Sequence, residues 1–218
     1  MSLADPHKLI GFACNRLDLS RGDTKMSVAD PHKLILTGEN PFLRMSDKDG
    51  DPNSTDASFW RILFCPAGPG HVLYIKSELT HAHWRIYSDN IAMARWLQQT
   101  VQGMLNPDLK DLSIPVTDAE FSKSGDPRYY WTEHVKAHDT ELALTWYDIG
   151  EPMLIHTEPN QPPNPRPYGV CTVLVPALSG RLTCNGQQAR GKPWKREREG
   201  RPFSTSALAF SESWTEPR

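Results

Sequence analysis

Two imidazoles, His81 and His83, stand one residue apart in the run HAHWRIY (81–87), with Arg85 and Tyr87 continuing the same alternate spacing. On an extended chain alternate side chains share a face and repeat about every 7 Å, so both rings can turn toward one metal ion. Glu78, or the Glu133-His134 pair further along, supplies further ligands if the fold brings them near. The same four polar positions serve equally well as the wet face of a half-exposed sheet. A second chemistry needs no metal and no other cofactor. A histidine titrates near neutral pH, and beside a carboxylate it can move a proton between carbon or oxygen atoms. His81, His83, Glu133, His134 and Asp148 are the candidates for that acid–base role. Trp84, Arg85, Tyr87, Tyr130, Trp131 and Trp146 are the candidates for lining the pocket that would hold an apolar or aromatic ligand. Each of the aromatics, taken singly, is also ordinary core packing.

Several other chemistries leave no trace. The chain has no G-x-S-x-G elbow, no G-x-x-x-x-G-K-[ST] phosphate loop and no G-x-G-x-x-G turn. Asp47, Asp49 and Asp51 suggest a calcium loop, but the required Gly and Glu positions hold Pro52 and Ser58, or Ser54 and Trp60 in the other frame. The four cysteines, Cys14, Cys65, Cys171 and Cys184, form no close pair, which argues against a structural zinc site and for buried thiols in a reducing cytoplasm. With 24 basic and 26 acidic residues the chain is nearly neutral, which argues against a basic nucleic-acid binder. The run KPWKREREGR (192–201) mixes both signs and reads as a charged hairpin tip. No apolar run approaches 18 residues, so no membrane-spanning helix is expected. The partner expected is therefore a small molecule, without nucleic acid or membrane; a homodimer is left open.

The elements that must position these residues begin late in the chain. MSLADPHKLI (1–10) returns as MSVADPHKLI (26–35), and polar turns follow through DKDGDPNSTD (47–56). The repeat reads as a tandem duplication or an upstream start ahead of Met26, and alternatively as two Asp-Pro-His arms. Residues 1–57 are thus expected to form a poorly ordered N-terminal arm, with a short apolar stretch that lacks the features of a signal peptide, and 58–218 the folded domain. SFWRILFC (58–65) and HVLYIKSEL (71–79) flank a Pro/Gly loop and predict a hairpin, continued by a strand over 81–87. Ile91, Ala94, Leu97, Val101 and Leu105 recur at helical spacing, which predicts one amphipathic helix capped by Ser88 or Asp89. YYWTEHVKA (129–137) and ELALTWYDIG (141–150) predict a second hairpin. The proline-rich stretch 158–167 predicts a surface loop or lid, and Asn185-Gly186 predicts a tight hairpin turn.

Eight or nine short strands and one helix predict a mainly β protein, an antiparallel sheet closed or nearly closed into a barrel. LTWYDIGEP (144–152), the Asn-Gly hairpin and RPFSTSALAFSESW (201–214) resemble the lipocalin-like barrels of the bacterial hydratase/isomerase kind over residues 58–216. That resemblance implies a barrel with an internal pocket and maps no catalytic residue. The function expected is binding of a small hydrophobic or aromatic molecule, extended to cofactor-free acid–base chemistry of hydratase, isomerase or lyase type. Two alternatives are a metal-dependent, cupin-like β-barrel enzyme built on His81 and His83, and a non-catalytic carrier or interaction domain. The cupin pattern wants a Glu three or four residues after H-x-H, and here Tyr87 and Ser88 stand there.

Overall fold

The computed structural model describes residues 32–162, 165–198 and 200–217. The first copy of the repeat and the opening of the second lie outside them. Structure starts earlier than the domain boundary at residue 58. β1 (His32–Glu39) and β2 (Phe42–Met45) arise within the expected arm and linker, and β3 (Thr55–Phe64) starts three residues before that boundary. Their apolar residues explain this: Leu36, Leu43 and Met45 are all at most 1% exposed.

The two expected hairpins form. β3 pairs antiparallel with β4 (Gly70–Ser77), and β8 (Tyr130–Lys136) with β9 (Glu141–Ile149). The stretches 168–177 and 180–184 are one long strand, β11 (Gly169–Cys184). Its first half pairs with β10 (Met153–Thr157) and with β15 (Ser206–Pro217), its second half with β9 and with β12 (Gln187–Gln188). Asn185 and Gly186 join β11 to β12 with φ of 48° and 79°, the positive values a two-residue turn demands. The Asn185 side chain accepts from Glu141 N and donates to Asp139 O, which ties this turn to the β8–β9 turn. β13 (Lys195–Arg198) and β14 (Arg201–Ser204) form a separate hairpin from the charged run.

The remaining strands decide the architecture. β5 (Arg85–Ser88) pairs antiparallel with β4 but parallel with β6 (Val116–Asp118), and β7 (Glu120–Asp126) pairs with β8. The main sheet has 13 strands along the path β6-β5-β4-β3-β1-β15-β11-β9-β8-β7, with β2, β10 and β12 at its sides. It is large and mixed, so the closed antiparallel barrel is corrected to an open hydrogen-bonded path. The physical reason lies at its ends: β6 and β7 follow each other with only Ala119 between, too few residues to turn back and pair.

The sheet is nonetheless strongly curved and buried on both faces where β3 runs. Ala57 and Phe59 join an inner cluster with Leu43, Leu73, Leu144 and Trp146. The alternate residues Trp60 and Ile62 join an outer cluster under the helix. Each such buried aromatic or aliphatic side chain contributes about 1.5–3 kcal/mol. The helical run starts as α1 (Ile91–Leu97) and continues through a π-helical turn, 98–102, to Leu105. Its cap is Asn90, whose side chain accepts from Met93 N, because Ser88 and Asp89 are engaged with His71. Met93, Ala94, Leu97 and Val101 are buried, whereas Ile91 is 54% exposed. Among the described residues no helix is long and apolar enough to cross a membrane.

One backbone contact is tight enough to test. A Cβ on Gly38 would overlap the carbonyl oxygen of Arg61, at the bulge where β1 meets β3. Gly38→Ala is expected to cost about 2 kcal/mol through a forced backbone shift, or roughly 4–8 °C in melting temperature for a chain of this size. An unchanged thermal melt would show that β1 slides freely at its bulge.

Candidate functional site

The residues expected to converge are dispersed over the sheet and its loops. The run 81–84 is not strand. Ser77 and Thr80 cap each other across a 3-10 turn (Glu78–Thr80), with Ser77 Oγ accepting from Leu79 N and Thr80 Oγ1 from Ser77 N. Such local side-chain bonds compete with a strand ladder. His81 and Ala82 then take φ of 56° and 57°, and His81, His83 and Arg85 are all exposed. The shared strand face that was to aim both imidazoles at one ion is therefore not formed. Among the described residues no group of three or more His, Cys, Asp or Glu is arranged to hold a metal ion. His81, Arg85 and Tyr87 instead border a polar depression of about 460 Å3 with Asp139, Thr140 and Cys184. Burial pushes the Tyr87 phenol up, so it is neutral there.

The aromatics expected to line a pocket lie in different surroundings. Trp146 is fully buried and its Nε1 donates to Phe42 O. Trp84 packs at the edge of the outer cluster, Tyr130 is 44% exposed, and Asp148, exposed near the end of β9, accepts from the Ser179 hydroxyl. His134 meets Ser124 Oγ at 3.0 Å on the outside of β8.

Glu133 and Trp131 belong to a clasp across the curved sheet. Arg61 on β3 lies directly opposite Glu39 on β1 and His71 on β4. Its guanidinium donates to Glu39 Oε2, to both oxygens of Glu133 at 3.1 and 3.0 Å, and to His71 Nε2 at 3.1 Å. Trp131 Nε1 donates to Glu133 Oε1 at 2.8 Å. A guanidinium only donates, so His71 Nε2 accepts, and its proton sits on Nδ1, 2.6 Å from Asp89 Oδ2. Burial raises the Glu133 carboxyl, opposed by the Arg61 charge and by hydrogen bonds from Trp131 and Arg61. A broad cleft of about 770 Å3 opens beside Arg61, His71 and Asp89. The Arg61, His71 and Asp89 side chains at its edge are already engaged with one another or with Glu39 and Glu133, which suits a clasp joining β3 to β8 better than a reacting centre.

A separate groove, which holds none of those residues, combines apolar walls with an excess of positive charge. β15 and β11 set Trp214 opposite Val170 and Glu212 opposite Thr172, and β10 adds Ile155 and Thr157 on the same face. These residues floor a groove of about 530 Å3 on the outer side of the sheet, beyond the helix end at Leu105. Phe42 and Phe203 add aromatic wall. Four arginines face it: Arg44 from β2, Arg166 from the proline-rich loop, and Arg196 and Arg198 from the β13–β14 hairpin. Arg44 and Arg196 reach outward to Asp56 and Asp49, at 3.5 and 2.8 Å. Arg166 lies over the Trp214 ring, 5.6 Å from its centre.

Glu212 is the lone acid among the described residues lining this groove, and only 6% exposed. Burial raises its carboxyl, against hydrogen bonds from Trp214 and Asn40 and the charge of Arg166. Thr172 Oγ1 also favours its charged form, although it makes no hydrogen bond of ordinary geometry. The donors at Glu212 have a fixed sense. Trp60 Nε1 and Gln102 Nε2 both donate to Ser58 Oγ, at 3.0 and 3.1 Å. Ser58 must therefore donate onward to Asn40 Oδ1, which turns the Asn40 amide so that Nδ2 donates to Glu212 Oε1 at 3.3 Å. Trp214 Nε1 donates to the same oxygen at 2.7 Å. The π-helical turn matters here, since it carries the buried Gln102 that orients the chain.

Neither Glu212 nor the arginines stand out in the sequence as a site. The available signal is one acid inside the serine-rich strand ALAFSESW, followed two residues on by a tryptophan, together with arginines in three segments that read as N-terminal arm, loop and hairpin tip. Comparison with protein-family models, with curated proteins and with solved structures gave no match. The geometry of the groove thus carries the functional reading by itself.

Proposed function

We propose that this protein binds a small amphipathic anion, a hydrophobic or aromatic body with one acidic head, in the outer groove. The observation that carries the reading is the set of four arginines around a buried carboxylate, within walls made by Phe42, Phe203 and Trp214. Apolar walls supply most of the binding energy, and a few convergent polar groups set the orientation. A guanidinium pairs with a carboxylate through two parallel N–H donors, which selects a planar acid head. The groove is open to one side, as a carrier or an exchanging binding site requires. In the enzymatic version of this reading, a cofactor-free hydratase, isomerase or lyase type, Glu212 is the acid that moves the proton, because burial raises its carboxyl. The thiols of Cys65 and Cys184, unbridged in the fold, support a cytoplasmic setting.

Titration of the Trp fluorescence with naphthoate and decanoate, against decylamine as the cationic counterpart, tests this. Both acids are expected to bind and to shift the Trp214 emission, with affinity falling as salt is raised. Equal binding of decylamine, or no response to either acid, would overturn the proposal.

A further inference from the structure

We propose that the groove takes up its ligand together with one proton, which Glu212 then holds against the ligand's acid head. This rests on the binding reading above and adds to it a coupling between ligand and pH. Glu212 sits where an acid head must go to reach Arg166, since Arg166 covers the Trp214 ring that binds the same carboxylate. Two carboxylates in contact cannot both stay ionised in a desolvated site. One of them must accept a proton from solvent, and the ligand head then receives a hydrogen bond in place of a repulsion. Oε1 of Glu212 already accepts from Trp214 and Asn40, in the sense dictated through Ser58, so the proton goes to Oε2. No covalent bond of the ligand is made or broken; one solvent proton is consumed for each molecule bound.

The surroundings leave Glu212 as the group that must respond. β2 presents Arg44, paired with Asp56 on its far side; β13 presents Arg196, paired with Asp49, and Arg198; the loop before β11 presents Arg166. β10 presents Ile155 and Thr157, while its His156 pairs with Glu158 on the exposed side. β11 presents Thr172, the helix end Leu105, and β15 Trp214. Arginine does not release its proton in proteins. Among the described residues lining the groove, therefore, Glu212 alone is a group whose charge can change with pH.

Calorimetric titration of the full chain with decanoate, in buffers of different ionisation enthalpy, reads the number of protons taken up. Uptake is expected to rise toward one per decanoate as pH is raised from 6 to 9, with affinity falling toward about tenfold per pH unit once Glu212 is ionised in the free protein. Glu212→Gln, which keeps the hydrogen bonds to an oxygen at that position, is expected to bind decanoate with no uptake and a flat pH profile. Decanoate binding to the wild type without uptake anywhere in this range overturns the inference and leaves the binding reading standing. The same holds if a Gln variant with native near-ultraviolet dichroism takes up as many protons as the wild type. Absence of decanoate binding at every pH overturns both. Buffer dependence of the wild type decides the matter even where the variant fails to fold.

Discussion

Arg61→Leu is expected to lower stability by about 3–5 kcal/mol, because it strands two buried carboxylates that now share one guanidinium. For a chain of this size that is roughly 6–20 °C in melting temperature. Glu133 is fully buried and Glu39 is 6% exposed, so water cannot replace the lost partner. The effect has a characteristic pH dependence. The Glu133 carboxyl is raised in the folded chain, so between its unfolded and folded values the native state binds the proton more tightly. Stability contributed this way is full at low pH and is lost as pH rises through the folded value. Removing Arg61 removes the main opposing influence and pushes that value higher. The variant should therefore recover part of its loss as pH falls from 8 to 5, by thermal melts against the wild type. Adding Glu133→Gln should recover part of it at neutral pH as well. A loss of equal size at every pH, unrelieved by the second substitution, would show that packing and not stranded charge was removed.

Arg166→Met is expected to weaken naphthoate and decanoate binding by about 10- to 100-fold, the range of one charge-assisted contact of about 1.5–3 kcal/mol. The replacement keeps an apolar stem over Trp214 and deletes the charge nearest Glu212. Decylamine binding should not weaken. Arg198→Met, farther out on the hairpin, should cost less than Arg166→Met and should flatten the salt dependence. An Arg166→Met chain that melts normally and binds both acids as tightly as the wild type would remove Arg166 from the site.

Much of the fold is legible in local signals. The β3–β4 and β8–β9 hairpins sit where branched and aromatic runs are separated by turn residues, and Asn185-Gly186 turns with the backbone its composition demands. The helix follows its apolar spacing, although Asn90 caps it and Gln102 is buried through a π-helical turn that a regular period does not describe. β1 is harder to see, because it begins inside the repeat, with Leu36 just past the end of the second copy, and it is held by partners as distant in sequence as β15. The loss of strand at 81–84 follows from the Ser77–Thr80 cap, whose spacing is visible but whose precedence over the alternating run is not.

The site is less legible than the fold for the same reason. Glu212, Thr172, Arg44 and Arg166 meet only because β15 lies between β1 and β11, and because β2 and the loop before β11 flank them. Nothing local to Glu212 announces that pairing. Glu133 and Trp131 are chemically conspicuous in the sequence, yet in the fold Glu133 is taken up by Arg61 and by Trp131 itself. The exposed His81 and His83 look paired only while the chain is taken as extended.

The single residue Ala119 has a mechanical consequence. It joins β6 and β7, the two ends of the hydrogen-bonded path, and its own N–H is held by Ser88 O. The seam of this sheet is therefore sewn by covalent bonds rather than by a ladder that can breathe. A guest strand cannot slip between the end strands there without bending the chain at that residue. Two edges that would otherwise invite strangers are kept as neighbours on one thread. A backbone break at Ala119, which is 6% exposed and so shielded from proteases, would release both edges at once and make the chain prone to add strands from its own copies.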